Sequence, residues 1–119
     1  MTVIPDKAKE LGRLIGQSDE YAALKRAQER VGEAKELRDR LDKLRSMADA
    51  LERTAATGTQ PSEADVNAYD QLLSQIQGDS LYQAVVAAQT NFDKLMMRVN
   101  DQIMEGIRKG AASPIITLG

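Results

Sequence analysis

The chain has no cysteine, no histidine and no tryptophan, and just one phenylalanine and three tyrosines in 119 residues. Without cysteine, disulfides, thiolate zinc sites and Fe–S ligation by this chain are excluded. With histidine also missing, so are a His-based triad, a cysteine nucleophile and a Glu-x-x-His di-iron motif. Side chains that titrate near neutral pH are absent, which argues against an enzyme. Few aromatics leave little for stacking on single-stranded bases. No stretch approaches the roughly 20 apolar residues that span a bilayer. No β-branched alternation between hairpin turns announces a sheet. The first residues, Met1 to Lys7, do not follow the basic-then-apolar order of a signal peptide, so a cytoplasmic location is expected.

What remains is the makeup of a helical or coiled-coil protein, rich in Ala, Leu, Gln and charged residues. Net charge is −2, from 16 basic and 18 acidic side chains. Through Thr57 there are 12 Lys and Arg against 11 Asp and Glu, and beyond it 4 against 7. Neither half is polybasic, so binding of nucleic acid by charge alone is not expected. Two small basic clusters stand out: Lys25, Arg26 and Arg30, and the pair Arg108 and Lys109. The second is also what a helix C-terminus favours through its dipole.

The dominant pattern is a ladder through Leu24, Ala27, Val31, Ala34, Leu37, Leu41, Leu44, Ala48, Leu51 and Ala55. Steps of three and four keep it on one side of a helix predicted over Asp19–Ala56, with Ser18 as N-cap. Opposite charges four apart on the outer face, such as Glu36 and Arg40, Asp39 and Lys43, and Asp49 and Arg53, mark the solvated side. Two successive steps of three from Val31 to Leu37 break the phase, so a bend or uneven packing is expected near Gly32–Leu37. A shorter helix over Pro5–Ile15 precedes it, with Ala8, Leu11 and Ile15 on one face and a break at Gly16. Gly12 and Gly16 form a GxxxG spacing within that helix, not a phosphate loop between strand and helix.

Gly58 suits a left-handed helix end, and Ser62 to Asp65 reads as a capping box with Asp in place of Glu. The third helix carries Val66, Tyr69, Leu73 and Ile76, and breaks at Gly78. After a cap at Asp79 or Ser80, the fourth repeats Leu81, Val85, Ala88, Phe92, Leu95, Val99, Ile103 and Ile107. At about 1.5 Å per residue, the long helix spans ~57 Å and the last two together ~67 Å. The expected fold is therefore all-α. It is a long antiparallel helical hairpin, with short helix one, long helix two, and a return arm of helices three and four broken at Gly78. One domain is placed at residues 1–109 and a non-helical tail at 110–119.

Each arm of such a hairpin needs one apolar stripe. Leu14, Leu72, Val86, Met96 and Met104 lie beside the stripe, while Ile15, Leu73, Val85, Leu95 and Ile103 fill the intramolecular face. A second stripe calls for a partner surface, and a homodimer or higher helical assembly is expected to cover it. Met96, Met97 and Met104 also suit an adaptable groove, although core or dimer packing explains them more simply. The carboxylates alternate with Lys and Arg and stay off the apolar stripe, as on a solvated face, so no metal ligand set and no cofactor is expected. In the tail, Pro114 blocks helix continuation and Ile115, Ile116 and Leu118 form an apolar, β-prone run that points to docking, in cis or on a partner.

The segment Ala8-Lys-Glu-Leu-Gly-Arg-Leu-Ile15, followed by Ser18-Asp-Glu-Tyr-Ala-Ala-Leu-Lys-Arg-Ala27, resembles the opening of the YlbF/YmcA family of bacterial proteins. Thr57–Asp65 and Gly78–Gln89 match the family's later turn and last cap, and the likeness runs from about Ile4 to Ile107. It implies a small cytoplasmic α-helical protein that forms dimers or larger assemblies. Members of the family act in complexes that influence competence, sporulation and biofilm formation, and modulate RNA processing through RNase Y. Some of those complexes hold Fe–S clusters through family cysteines, which this chain does not have.

The expected function is a noncatalytic, self-associating regulatory adaptor working through protein–protein contacts, with no membrane and no small-molecule substrate. By resemblance, it regulates cell fate or RNA processing. An RNA-binding accessory factor using the basic clusters is one alternative. A chaperone-like helical hairpin is another, but it needs apolar tips, and this turn reads Ala-Thr-Gly-Thr-Gln-Pro-Ser.

Overall fold

A computed structural model describes residues 2–112. These form α1 (Val3–Gly16), α2 (Asp19–Glu33), α3 (Lys35–Ala56), α4 (Glu63–Gln77) and α5 (Ser80–Ala112), with no strand among the described residues. The helix ends follow local chemistry. Ser18 accepts a hydrogen bond from the Tyr21 amide at 3.1 Å and opens α2. Ser62 does the same for the Asp65 amide at the start of α4. Of the two residues expected to cap the last helix, Asp79 does so, accepting from the Leu81 amide at 2.8 Å. Each such side chain satisfies a backbone donor that the first helical turn leaves without a partner.

At the end of α3, Gly58 adopts φ +81°, a left-handed conformation that glycine takes without penalty. The Gly58 amide donates to the Ala55 carbonyl and the Thr59 amide to the Thr54 carbonyl. This paired pattern is a Schellman ending, and it turns the chain back toward α4.

The helix expected over Asp19–Ala56 is two helices. Ala34, at φ −90° and ψ 89°, leaves the helical region between α2 and α3. The phase slip supplies the reason. On one straight helix the stripe from Leu37 onward would sit roughly 100° round from the stripe through Leu24 and Val31. A single non-helical residue re-aims α3, and Leu37 becomes 2% exposed. Alanine's helix propensity is worth less than burying that stripe.

α2 packs along α5, and α3 along α4. Glu20 lies 3.6 Å from Arg98, the Tyr21 ring lies 5.7 Å from Phe92, and Leu24 and Ala27 share a cluster with Ala88 and Val85. Rising numbers on α2 thus meet falling numbers on α5, so the two run antiparallel. Further along, Leu37 on α3 and Ile76 on α4 are the largest fully buried side chains. The molecule measures 70 × 37 × 21 Å and its radius of gyration is 22.0 Å. A compact domain of this length would have about 13 to 14 Å, so the helices form an elongated structure with a thin core.

Other details differ from expectation. α1 begins at Val3, not Pro5, and α5 stays helical through Ala112, past the expected end at 109. On the outer face of α3, Asp39 pairs with Lys35 at 3.0 Å, not with Lys43. Ile103, expected to fill the intramolecular face, is 46% exposed. α5 is longer than the partner beside it. With Glu20 at the start of α2 opposite Arg98, residues 99–112 extend about 21 Å further, and Leu11 of α1 lies beside Val99 and Ile103 there.

Candidate interaction surface

Among the described residues, five hydrophobic side chains are buried: Leu24, Ala27, Leu37, Ile76 and Ala88. Eleven large ones are exposed, and most lie on α1 and α5. Of the residues expected at an oligomer interface, Leu14 is 54% exposed and Val86 47%, and Met96 and Met104 are also exposed. Leu72 is half-buried. Val86 and Met104 are separated by five helical turns, so they project from the same side of α5. Met97, close to that direction, is exposed as well. None of the three methionines fills the core of a single chain.

Some residues that the periodicity assigned to the hairpin interior are exposed as well. Ile103 and Ile107 on α5 and Val66 on α4 are exposed. Their spacing identified them as apolar but carried no information on where the opposing helix stops. Val3 and Ile4 precede the expected start of the first helix and are exposed too. The exposed apolar side chains thus extend beyond the five residues first assigned to an interface, and nine of the eleven lie on α1 and α5.

Three open depressions follow the helix seams. Met47, Ala50, Leu51, Thr54 and Asp65 line one between α3 and α4. Gln77, Tyr82, Gln83, Val86 and Ala87 line a second, where α4 meets α5. Leu11, Arg98, Val99, Gln102 and Ile103 line a third, a groove of about 390 Å³ between α1 and α5. All are open, and the second and third are largely apolar, suited to a side chain or helix and not to orienting a small molecule. Among the described residues, no three His, Cys, Asp or Glu side chains gather as a metal site requires.

The basic clusters are less suited to phosphate than their sequence suggests. Lys25, Arg26 and Arg30 are exposed, but Glu29 interrupts them on the same helix. Lys109 pairs with Glu105 at 3.0 Å, so half of the second cluster is engaged within α5. Gly12 and Gly16 approach no neighbour: a Cβ built on either meets nothing within 4 Å among the described residues. Ile115, Ile116 and Leu118, the expected docking residues of the tail, lie outside the described residues.

Sequence comparison places these helices in a known family. The profile described as "Control of competence regulator ComK, YlbF/YmcA" matches residues 4–108, covering all of α2 to α4 and nearly all of α1 and α5. The chain belongs to the YlbF/YmcA family. A UPF0342 protein of Staphylococcus saprophyticus subsp. saprophyticus is 25% identical over 100 residues, spanning 84% of this chain and 88% of that protein. The family description carries a regulatory role, control of a competence regulator. None of the five described helices is long and apolar enough to cross a membrane.

Proposed function

We propose that this YlbF/YmcA-family chain is a noncatalytic regulatory adaptor of the cytoplasm. It self-associates through the flank formed by Leu14, Leu72, Val86, Met96 and Met104, and presents the assembled helices to protein partners. One observation carries this reading: a chain with five buried hydrophobic residues leaves eleven large ones exposed among its described residues. Apolar surface on that scale marks an interface with another protein. A second copy satisfies it symmetrically, because the same flank serves both subunits. The regulatory role follows from the family description. Surfaces made of helix faces and shallow seams recognise proteins more readily than substrates. RNA bound through Lys25, Arg26 and Arg30 is the competing reading, and the interleaved carboxylates count against it.

Light scattering after size exclusion tests self-association, with circular dichroism to confirm folding. The native chain is expected to be a dimer or larger. The double substitution of Val86→Asp and Met104→Asp is expected to yield a monomer with unchanged helix content, since both positions are already solvent-accessible in one chain. A monomeric native chain at micromolar concentration overturns the proposal. Capture of partners from native cells, repeated with RNase, then separates direct protein contacts from RNA-bridged ones.

A further inference from the structure

Both arms of the hairpin are interrupted at the same level. Ala34 separates α2 from α3, and Gly78 with Asp79 separates α4 from α5. Leu24 and Ala27 of α2 cluster with Val85 and Ala88 of α5. Because these helices run antiparallel, seven residues forward from Ala27 reach Ala34 and seven back from Val85 reach Gly78. The two links therefore stand opposite one another. Each closes one helix and opens the next. The Ala34 amide donates to the Val31 carbonyl at 3.1 Å, and the Ala34 carbonyl accepts from the Arg38 amide at 3.0 Å. On the other arm, the Gly78 amide donates to the Ser74 carbonyl, and the Asp79 carbonyl accepts from the Gln83 amide.

Little else ties the two halves together. α2 packs along α5 and α3 along α4, while α2 with α4 and α3 with α5 meet at most marginally. No ion pair among the described residues joins α3 or α4 to another helix. One side-chain hydrogen bond spans a link, from Gln83 Nε2 to the Gln77 carbonyl at 2.9 Å, and it is exposed to competing water. No side-chain cap holds the start of α3 at Ala34. We propose that Ala34 and Gly78–Asp79 form one hinge, about which α3 and α4 swing as a rigid hairpin relative to α2 and α5. Short segments at element ends absorb the φ/ψ change in such motions, while the packed bodies keep their contacts. The axis is the line through both links. Rotation about it leaves each link's length unchanged, whereas bending in the plane of the hairpin would stretch one and compress the other. Leu37 and Ile76, both fully buried, lie three residues after Ala34 and two before Gly78. Side chains beside the axis move least, so the swing keeps this part of the core dry. Val66 lies on one side of the hinge and Val86, Met96 and Met104 on the other, so the motion rearranges the exposed apolar side chains.

The absence of native cysteine makes paired spin labelling specific. Pulsed electron–electron resonance then reads the distance distribution within each labelled chain, diluted in a large excess of unlabelled native chain. Two pairs cross the hinge, Glu29→Cys with Ser46→Cys on one arm and Asp70→Cys with Ala87→Cys on the other. Two controls stay within one body, Glu36→Cys with Arg53→Cys in α3 and Ala84→Cys with Asp101→Cys in α5. All eight positions are exposed, and each pair is seventeen residues apart, about 25 Å along a continuous helix. Circular dichroism confirms that the labelled chains fold, and the second arm supplies the test should labels on the first disturb it. Both hinge-crossing distributions are expected to be at least roughly twofold wider than both controls. Widths equal to the controls overturn the proposal. Broadening on one arm alone overturns it too, because that is fraying at a single link and not rotation about both. Dilution makes the readout independent of self-association, which light scattering on the native chain measures separately.

Discussion

At the level of α3 and α4, Leu37 and Ile76 are almost wholly removed from water, while at the end of α5 Ile103 remains 46% exposed. All three occupy equivalent places in apolar stripes with steps of three and four. The difference lies in what stands opposite. α3 and α4 pack against one another, whereas α5 passes the start of α2 near Arg98 and continues past Leu11 of α1. One end of the molecule is closed by its own chain, and the other presents the same kind of surface outward. Stability is thus expected to concentrate in the first region and recognition in the second.

The largest effect that tests this division is a paired truncation. Ile76→Ala should cost about 2–5 kcal/mol, because a fully buried side chain loses its contacts and leaves a cavity. Ile103→Ala should cost less than ~1 kcal/mol in the monomer, since half of its surface is already in water. Urea denaturation at a concentration where the chain is monomeric measures both. Equal losses would mean that the end of α5 is as well packed as the middle, and the contrast would fail.

Much of this arrangement was legible from local chemistry. Gly58, Ser18, Ser62 and Gly78 each marked a helix boundary that the structure places within a residue or so, because capping depends on a few adjacent atoms. The slip between Val31 and Leu37 located the disturbance in the long helix but not its form. A phase error can be absorbed by gradual overwinding or by one non-helical residue, and the choice of Ala34 depends on tertiary packing. Exposure at Ile103 and Ile107 was not legible at all. Periodicity reports which face of a helix is apolar, and only the relative offset of α2 and α5 decides whether that face is covered. The exposure of Leu14, Val86, Met96 and Met104 was legible because they are superfluous to a two-helix hairpin, an argument from excess that says nothing of what, if anything, covers them.

A glycine substitution sharpens the comparison, because its sign should differ between the two regions. Gly58→Ala forces an L-residue into φ +81° at the turn that joins the closed arms, at a cost of about 1–2 kcal/mol. Nothing lies within 4 Å of the added Cβ, so the cost is backbone strain and not a clash. Gly12→Ala, inside α1 at the open end and equally unobstructed, should stabilise that helix by about 0.5–1 kcal/mol. Thermal unfolding of the two variants gives the signs. If Gly12→Ala instead shifts oligomer size, α1 approaches a second subunit at that glycine.

The smallest expected effect comes at the junction of the two regions. The Arg98 guanidinium lies 3.6 Å from the Glu20 carboxylate, with side chains 64% and 32% exposed. Water and salt screen such a pair, so Arg98→Gln should cost no more than about 0.5 kcal/mol at low ionic strength. The Debye length falls to about 3 Å in 1 M salt, where the native and variant chains should become indistinguishable in stability. Arg98 also lines the groove beside Val99 and Ile103, and its long aliphatic stem can shield those side chains from water. A loss that persists undiminished in high salt would therefore assign Arg98 to packing. The boundary between closed and open regions would then lie further along α5 than the last contact with α2.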